Sequence, residues 1–228
     1  MQHYSCDATG VGDIANADSQ AGVPRRRDAD RTRAAILRAA TREFGTHGFS
    51  GGRTERIAAA AKCNIRLLYH HFGNKQALYL TVIEAAYADL RAKEAAVALD
   101  TTDPLGSVEA LLRFTFDYFG KNPLLEGLIR SENMMQGRFL RQSQSVPEAA
   151  ERLKARLAGV IAAGEAQGVM LAGIDPVQLY VTITALSRFH LANGYTLSNV
   201  LGVDLTSANW RAGWLAHSID LLRAWVKP

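Results

Sequence analysis

The sequence has little of what would mark a membrane, secreted or metal-clustered protein. No uninterrupted apolar run approaches the roughly 20 residues a membrane-spanning helix needs. The first 24 residues carry Asp7, Asp13 and Asp18 but no Lys, Arg or apolar stretch, which argues against a secretory signal. Two cysteines, Cys6 and Cys63, can furnish neither a disulfide framework nor a zinc quartet. The six histidines are scattered, and no phosphate loop, nucleophile elbow or metal motif accompanies them. No segment sustains period-two alternation, so strands are not expected. What remains is a cytoplasmic, all-α protein for which no cofactor and no metal are expected.

At 228 residues and 48% hydrophobic, the chain is long enough for one large or two small cores. Its net charge of +4 is unevenly spread. Residues 1–24 hold three acids and no base, and residues 76–228 hold fourteen bases against fifteen acids. Residues 25–75 hold twelve bases against four acids, so the whole positive excess sits there. A confined field of that sign attracts polyanions and points to a binding module. Residues 1–24, polar and without apolar periodicity, read as a disordered arm.

Apolar spacing predicts about nine helices. Asp30 or Thr32 can cap a first helix through Ile36, Leu37, Ala40 and Phe44, with Gly45 and Gly48 at its end. Thr54 to Ala61 forms a short second helix, Lys62-Cys63-Asn64 a tight turn, and Ile65 to His71 a third helix with Asn64 as its N-cap. A longer helix follows from Lys75 to about Leu99. Beyond it, Asp103-Pro104, Asn122-Pro123 and Asp175-Pro176 place a capping residue before a first-turn proline, Pro147 precedes a further segment, and Ser207 or Asn209 can cap the last.

Two short helices joined by a three-residue turn, inside the basic stretch, have the layout of a helix-turn-helix. On a helical wheel Leu68 and Phe72 share the inward face. Arg66, Leu67 and His70 point away, toward a major groove, with Tyr69 and His71 on the flanks where they can meet phosphate. Arg53 and Lys75 begin the neighbouring helices, where free N–H groups and a cation suit a phosphate. The Arg25–Arg27 run reads either as a minor-groove arm or as a solvated basic linker. Cys63 reads as a small hydrophobe in the turn, not a redox sensor. Adjacent His70 and His71 face different directions and do not suit one metal.

The stretch Thr32 to Ala85 resembles the DNA-binding domain of the tetracycline-repressor (TetR) family. The elements that carry the resemblance are Ile36/Leu37, Ala40, Phe44 and His47-Gly48-Phe49, then Ile57-Ala58 and Ala61, then Leu68-Tyr69-His70-His71-Phe72-Gly73-Asn74-Lys75 with Leu78. It implies a homodimeric regulator, usually a repressor, that binds a double-stranded, pseudo-palindromic operator and answers to a small-molecule effector. By position Tyr69 and Lys75 take phosphate contacts, while Ile65, Arg66, Leu67 and His70 occupy the base-reading turns. The chain departs from the family at Lys62, which replaces the turn glycine, and at Thr54, Cys63 and Arg66.

The expected organisation is an arm (1–24), a DNA-binding domain (25–75) and a ligand-binding and dimerisation domain (76–228). In the last, Phe114, Tyr118, Met134, Phe189 and His190 suit either core packing or a mostly apolar pocket. Arg130, Arg188 and Asn193 are polar residues in apolar helices; the two arginines can anchor a carboxylate or pair with Glu126 and Glu132. The last two long helices, around Leu179 to Leu191 and Trp210 to Trp225, carry apolar surface suited to a four-helix dimer interface or to an internal core. Two other function classes compete. One is a helical enzyme using His47, His70, His71 or His190; the other is an interaction module whose basic region meets another polyanion.

Overall fold

Most helix starts in this chain are written by a side chain that accepts a backbone N–H. The computed structural model describes Met1 and residues 22–228. Among the described residues nine α-helices and one short 3-10 turn, Leu140–Gln142, occur without a strand. They are α1 (Gly22–Gly51), α2 (Thr54–Ala60), α3 (Ile65–Phe72), α4 (Lys75–Ala95), α5 (Pro104–Lys121), α6 (Pro123–Met134), α7 (Ser145–Ala166), α8 (Pro176–Leu201) and α9 (Ala208–Val226). Asn64 Oδ1 accepts from Leu67 N at 2.8 Å, Asn74 Oδ1 from Ala77 N at 2.8 Å, and Asp175 Oδ1 from Gln178 N at 2.8 Å. Asp103 and Ser207 cap α5 and α9 in the same way. Asn122 breaks the pattern: its Nδ2 donates back to Tyr118 O at 2.7 Å, and proline alone sets the start of α6.

Three boundaries differ from the sequence expectation by three residues or more. The first helix does not start at Asp30 or Thr32. It starts at Gly22, with Pro24 in the first turn, where a missing N–H costs nothing. Thr32 is already inside it, donating its hydroxyl to Asp28 O at 2.9 Å. The expected disordered arm therefore loses Gly22–Pro24 to α1, and its residues 2–21 lie outside the described residues. The Arg25–Arg27 run is helical backbone, although the side chains of Arg25 and Arg26 lie outside the described residues. Gly45 does not end α1 but continues it, and the break falls at Gly48 (φ 67°, ψ −179°). Finally, α4 stops at Ala95 instead of about Leu99, and Arg156 of α7 donates to the carbonyls of Glu94 and Val97 at 3.3 and 2.7 Å. Those bonds satisfy groups that the helix end leaves open.

Buried side chains gather in three clusters. Ile36, Phe44, Ile57, Leu68, Leu78 and Tyr79 join α1–α4, and Leu128 and Phe139 reach in from α6 and the turn after it. Leu111, Leu157, Val160, Leu179, Ile183 and Leu222 join α5, α7, α8 and α9. A small cluster of Leu90, Tyr118, Phe119, Leu125 and Ile129 lies where α4, α5 and α6 meet. The N-terminal unit is thus bonded to the rest through α4 and α6. Ser131 of α6 fastens that junction, its Oγ accepting from Phe49 N and from the Tyr79 hydroxyl, each at 3.1 Å.

Candidate functional site

In α3, Leu68 and Phe72 are buried, which leaves Arg66 and His70 exposed and Ile65 and Leu67 half-buried at the helix start. The inward and outward faces fall where the apolar spacing put them. Arg53, the residue before α2, is exposed; its backbone N–H donates to Glu43 Oε1 at 2.9 Å. The same carboxylate pairs with Arg56. Burial alone would raise the Glu43 pKa, but the bonds from Arg56 and Arg53 and the Arg56 charge outweigh it and hold the group below its ordinary value. Arg56 is therefore spent on Glu43, while Arg53 and Arg66 form no ion pair among the described residues.

Two of the flanking residues, Tyr69 and Lys75, make contacts within the protein. The Tyr69 hydroxyl lies 3.0 Å from Thr54 Oγ1, and this bond ties α3 to α2. It also explains why a polar Thr54 stands at that buried position. The Lys75 ammonium lies 4.7 Å from the centre of the Phe49 ring, so the charge rests on the aromatic cluster at the start of α4. His71 is half-buried, and its Nε2 has no partner. Lys62 adopts φ 54°, the left-handed conformation that favours glycine. Cys63 is half-buried against the first cluster, and burial pushes its thiol up, away from the reactive thiolate range. His47 and His190 lie on α1 and α8, apart from the His70-His71 pair on α3.

The eight residues expected around an effector fall in different places. Phe114 and Tyr118 stack at 5.6 Å, and the Tyr118 hydroxyl donates to Asp89 Oδ2 at 2.6 Å. Burial and that carboxylate raise the phenol pKa. Arg188 takes the second of the two uses open to it: Nε and an Nη donate to Glu126 at 2.8 and 3.0 Å, with the guanidinium over Phe119. His190 is buried between Phe116 and Trp210, and among the described residues only the Leu186 backbone favours its charged form. Phe189 and Asn193 line a shallow groove on the exposed side of α8. Arg130 and Met134 line a depression of about 370 Å³ where α6 meets Gly45 and Phe49 of α1.

A larger cleft, about 420 Å³, lies between α4 and α7 and includes none of those eight residues. Its α4 wall is Ala88, Ala92 and Ala95, one helical face without bulk, with Ala149 among the α7 residues opposite. Polar groups edge it: Arg91, Arg152, Arg156, Glu84 and Glu94. Alanines at three- and four-residue spacing were the available signal, but they read as helix propensity until the packing partner is known.

Comparison with known proteins agrees with this geometry. Residues 36–82 match the model for bacterial regulatory proteins of the tetR family, and residues 104–222 match that for the tetracyclin repressor-like C-terminal domain. The chain is 37% identical over 197 residues to the HTH-type transcriptional repressor NicS of Pseudomonas putida, covering 86% of this chain and 93% of that protein. It is 33% identical over 165 residues to the HTH-type transcriptional repressor SCO4008 of Streptomyces coelicolor, covering 72% and 80%. In fold it is similar to a TetR transcriptional regulator from Chloroflexus aurantiacus, with a TM-score of 0.59 at 19% identity, over 88% and 98% of the two chains.

Proposed function

The chain belongs to the TetR family of bacterial regulatory proteins, and from that premise we propose that it is a cytoplasmic, homodimeric transcriptional repressor released from its operator by a small molecule. The observation that carries the reading is α3: an Asn64-capped helix whose Leu68 and Phe72 side is buried and whose Arg66 and His70 side is exposed, with Leu67 half-buried at its start. A helix of that build fits the major groove, where base edges can be read. Arg53, Tyr69, His71 and Lys75 surround it as phosphate contacts, and Ile65 joins the base-reading turn. Residues 25–75 form the DNA-binding domain and residues 76–228 the effector and dimerisation domain. α4 begins at Lys75 and runs from one into the other.

Dimerisation through α8 and α9 is supported by large apolar side chains left exposed there, among them Val181, Phe189, Val200 and Leu221. Exposed apolar side chains of this size suit an isologous partner surface. No helix among the described residues is long and apolar enough to cross a membrane.

The test is a gel-shift titration of duplex DNA from upstream of the chain's own coding sequence, repeated at two salt concentrations. A specific shift that weakens steeply as salt rises is the expected result. Absence of any specific shift at low salt overturns the reading in favour of the interaction module.

A further inference from the structure

The cleft between α4 and α7 has a polarity that its alanine walls do not suggest. Its ends are set by two contacts: the Ser143 hydroxyl donates to Glu84 Oε1 at 2.7 Å at one, and Arg156 donates to Val97 O at 2.7 Å at the other. α4 and α7 therefore run in the same direction, which puts Arg152 one turn before Arg156 and near the level of Arg91. Arg91, Arg152 and Arg156, the second of them exposed, all line that half of the cleft. The acid beside them, Glu94, is buried and already engaged on both oxygens, by Arg91 and by the Tyr180 hydroxyl at 3.2 Å. Glu84, the other acid, is held at the opposite end.

The positive charge is in surplus, and part of it is unused. Arg152 forms no ion pair among the described residues. Arg91 spends one terminal nitrogen on Glu94 and Tyr180, and its other terminal nitrogen makes no hydrogen bond among the described residues. A guanidinium N–H that lines a cleft without a partner is best satisfied by a carboxylate oxygen. Between those polar groups the lining is Ala88, Ala92 and Ala95 of α4 with Val146, Ala149 and Leu153 of α7, an apolar strip that suits an apolar body.

From these features we infer that the α4–α7 cleft binds a small organic acid, its carboxylate held by Arg152 and Arg91 and its apolar body laid along the alanines of α4. The inference rests on reading residues 76–228 as the effector domain. It names the site and the chemical class of the effector. The volume is of the size usual for small-molecule sites.

The experiment uses the full chain without DNA, so its outcome is independent of whether a specific operator is found. Binding is measured by calorimetry for benzoate and hexanoate, a flat and a flexible acid, and for the amide of each. At least one acid is expected to bind, with its amide weaker by roughly ten-fold or more, because only the charged form meets both guanidinium groups. Arg152→Gln is expected to bring the acid down to the amide's affinity, with the ligand-free melting temperature as the check on folding. Ala92→Leu fills the cleft and is expected to abolish binding of both; should that variant not fold, Ala149→Leu fills it from the opposite wall. Equal affinity for acid and amide, unchanged acid binding in Arg152→Gln, or no binding by either acid overturns the inference.

Discussion

The backbone of Gly127 in α6 lies so close to the carbonyl of Gly45 in α1 that a methyl group on Gly127 would stand 1.9 Å from that oxygen. Gly45 in turn is pressed against Leu124, which a Cβ would meet at 2.9 Å. Two small residues let two helices touch by their backbones at the junction of the DNA-binding unit with the rest of the chain. Because the obstructing atom is backbone, it cannot move aside as a flexible side chain would. Gly127→Ala is expected to force α1 and α6 apart, costing about 1–3 kcal/mol. Chemical denaturation of the purified variant measures this; an unchanged midpoint and slope would show that the contact is not tight.

Lys62 holds a conformation that suits glycine, at the turn between α2 and α3. A residue with a Cβ is destabilised there by about 1–2 kcal/mol, and the extra freedom of glycine in the unfolded chain offsets part of any gain. Lys62→Gly is therefore expected to be more stable than Lys62→Ala by about 0.5–1 kcal/mol, because alanine keeps the strain while losing the same charge. Thermal melts of the two variants side by side give the comparison. If they melt together, the turn is not strained at Lys62.

Phosphate contacts and base contacts predict different losses. Lys75→Ala and Tyr69→Phe should weaken operator and random duplex about equally, since phosphates carry no sequence code. Both changes also remove an internal contact, Lys75 on Phe49 and Tyr69 with Thr54, so melting temperatures must accompany the titrations. Arg66→Ala removes an exposed side chain with no internal bond. It is expected to cost about 1–3 kcal/mol on the operator and to relax preference at one base pair, most simply a guanine. A selection experiment that returns the same base motif for Arg66→Ala excludes Arg66 as a reader.

The parts of this molecule written locally were legible in its sequence. Asn64, Asp103 and Asp175 announce helix starts by side chains that reach three residues ahead, and Leu68 with Phe72 fixes which side of α3 is inward; Asn74, which ends α3 in the sequence pattern, also caps α4. What depends on a distant partner was not. Arg188 offered two uses, and only the approach of α6 to α8 decides for Glu126. The start of α1 was misplaced because Asp30 and Thr32 are good caps that the chain does not use. The cleft escaped notice for the same reason: Ala88, Ala92 and Ala95 carry meaning only once α7 lies opposite.

The Glu126–Arg188 pair gives a test of that nonlocal contact. Glu126 is buried, and both its oxygens are taken by the one guanidinium. Arg188→Ala strands the carboxylate and is expected to cost about 3–5 kcal/mol. Removing both charges in Glu126→Gln/Arg188→Ala should recover part of that, because no buried charge is then left stranded. Denaturation of the two single variants and the double variant closes the cycle. A double variant no more stable than Arg188→Ala would mean that lost packing on Phe119, not the stranded charge, sets the cost.

His190 links stability to pH. Burial against Phe116 and Trp210, with the nearby Arg211 charge, pushes its pKa down from 6.5 to about 4. The unfolded chain therefore binds a proton between those values that the folded chain refuses. Stability rises with pH wherever the unfolded state holds more protons, so this histidine destabilises the fold as pH falls from 6.5 through about 4. The full shift corresponds to about 3 kcal/mol. Carboxylates held low, such as Glu43 and Glu109, also lose stability in acid, so the comparison must be with His190→Gln across the same window. The wild type is expected to lose more stability than His190→Gln between about pH 6.5 and 4, and the two should run parallel above neutrality. Parallel curves throughout would show that the imidazole finds a proton-accepting partner inside the fold when it charges.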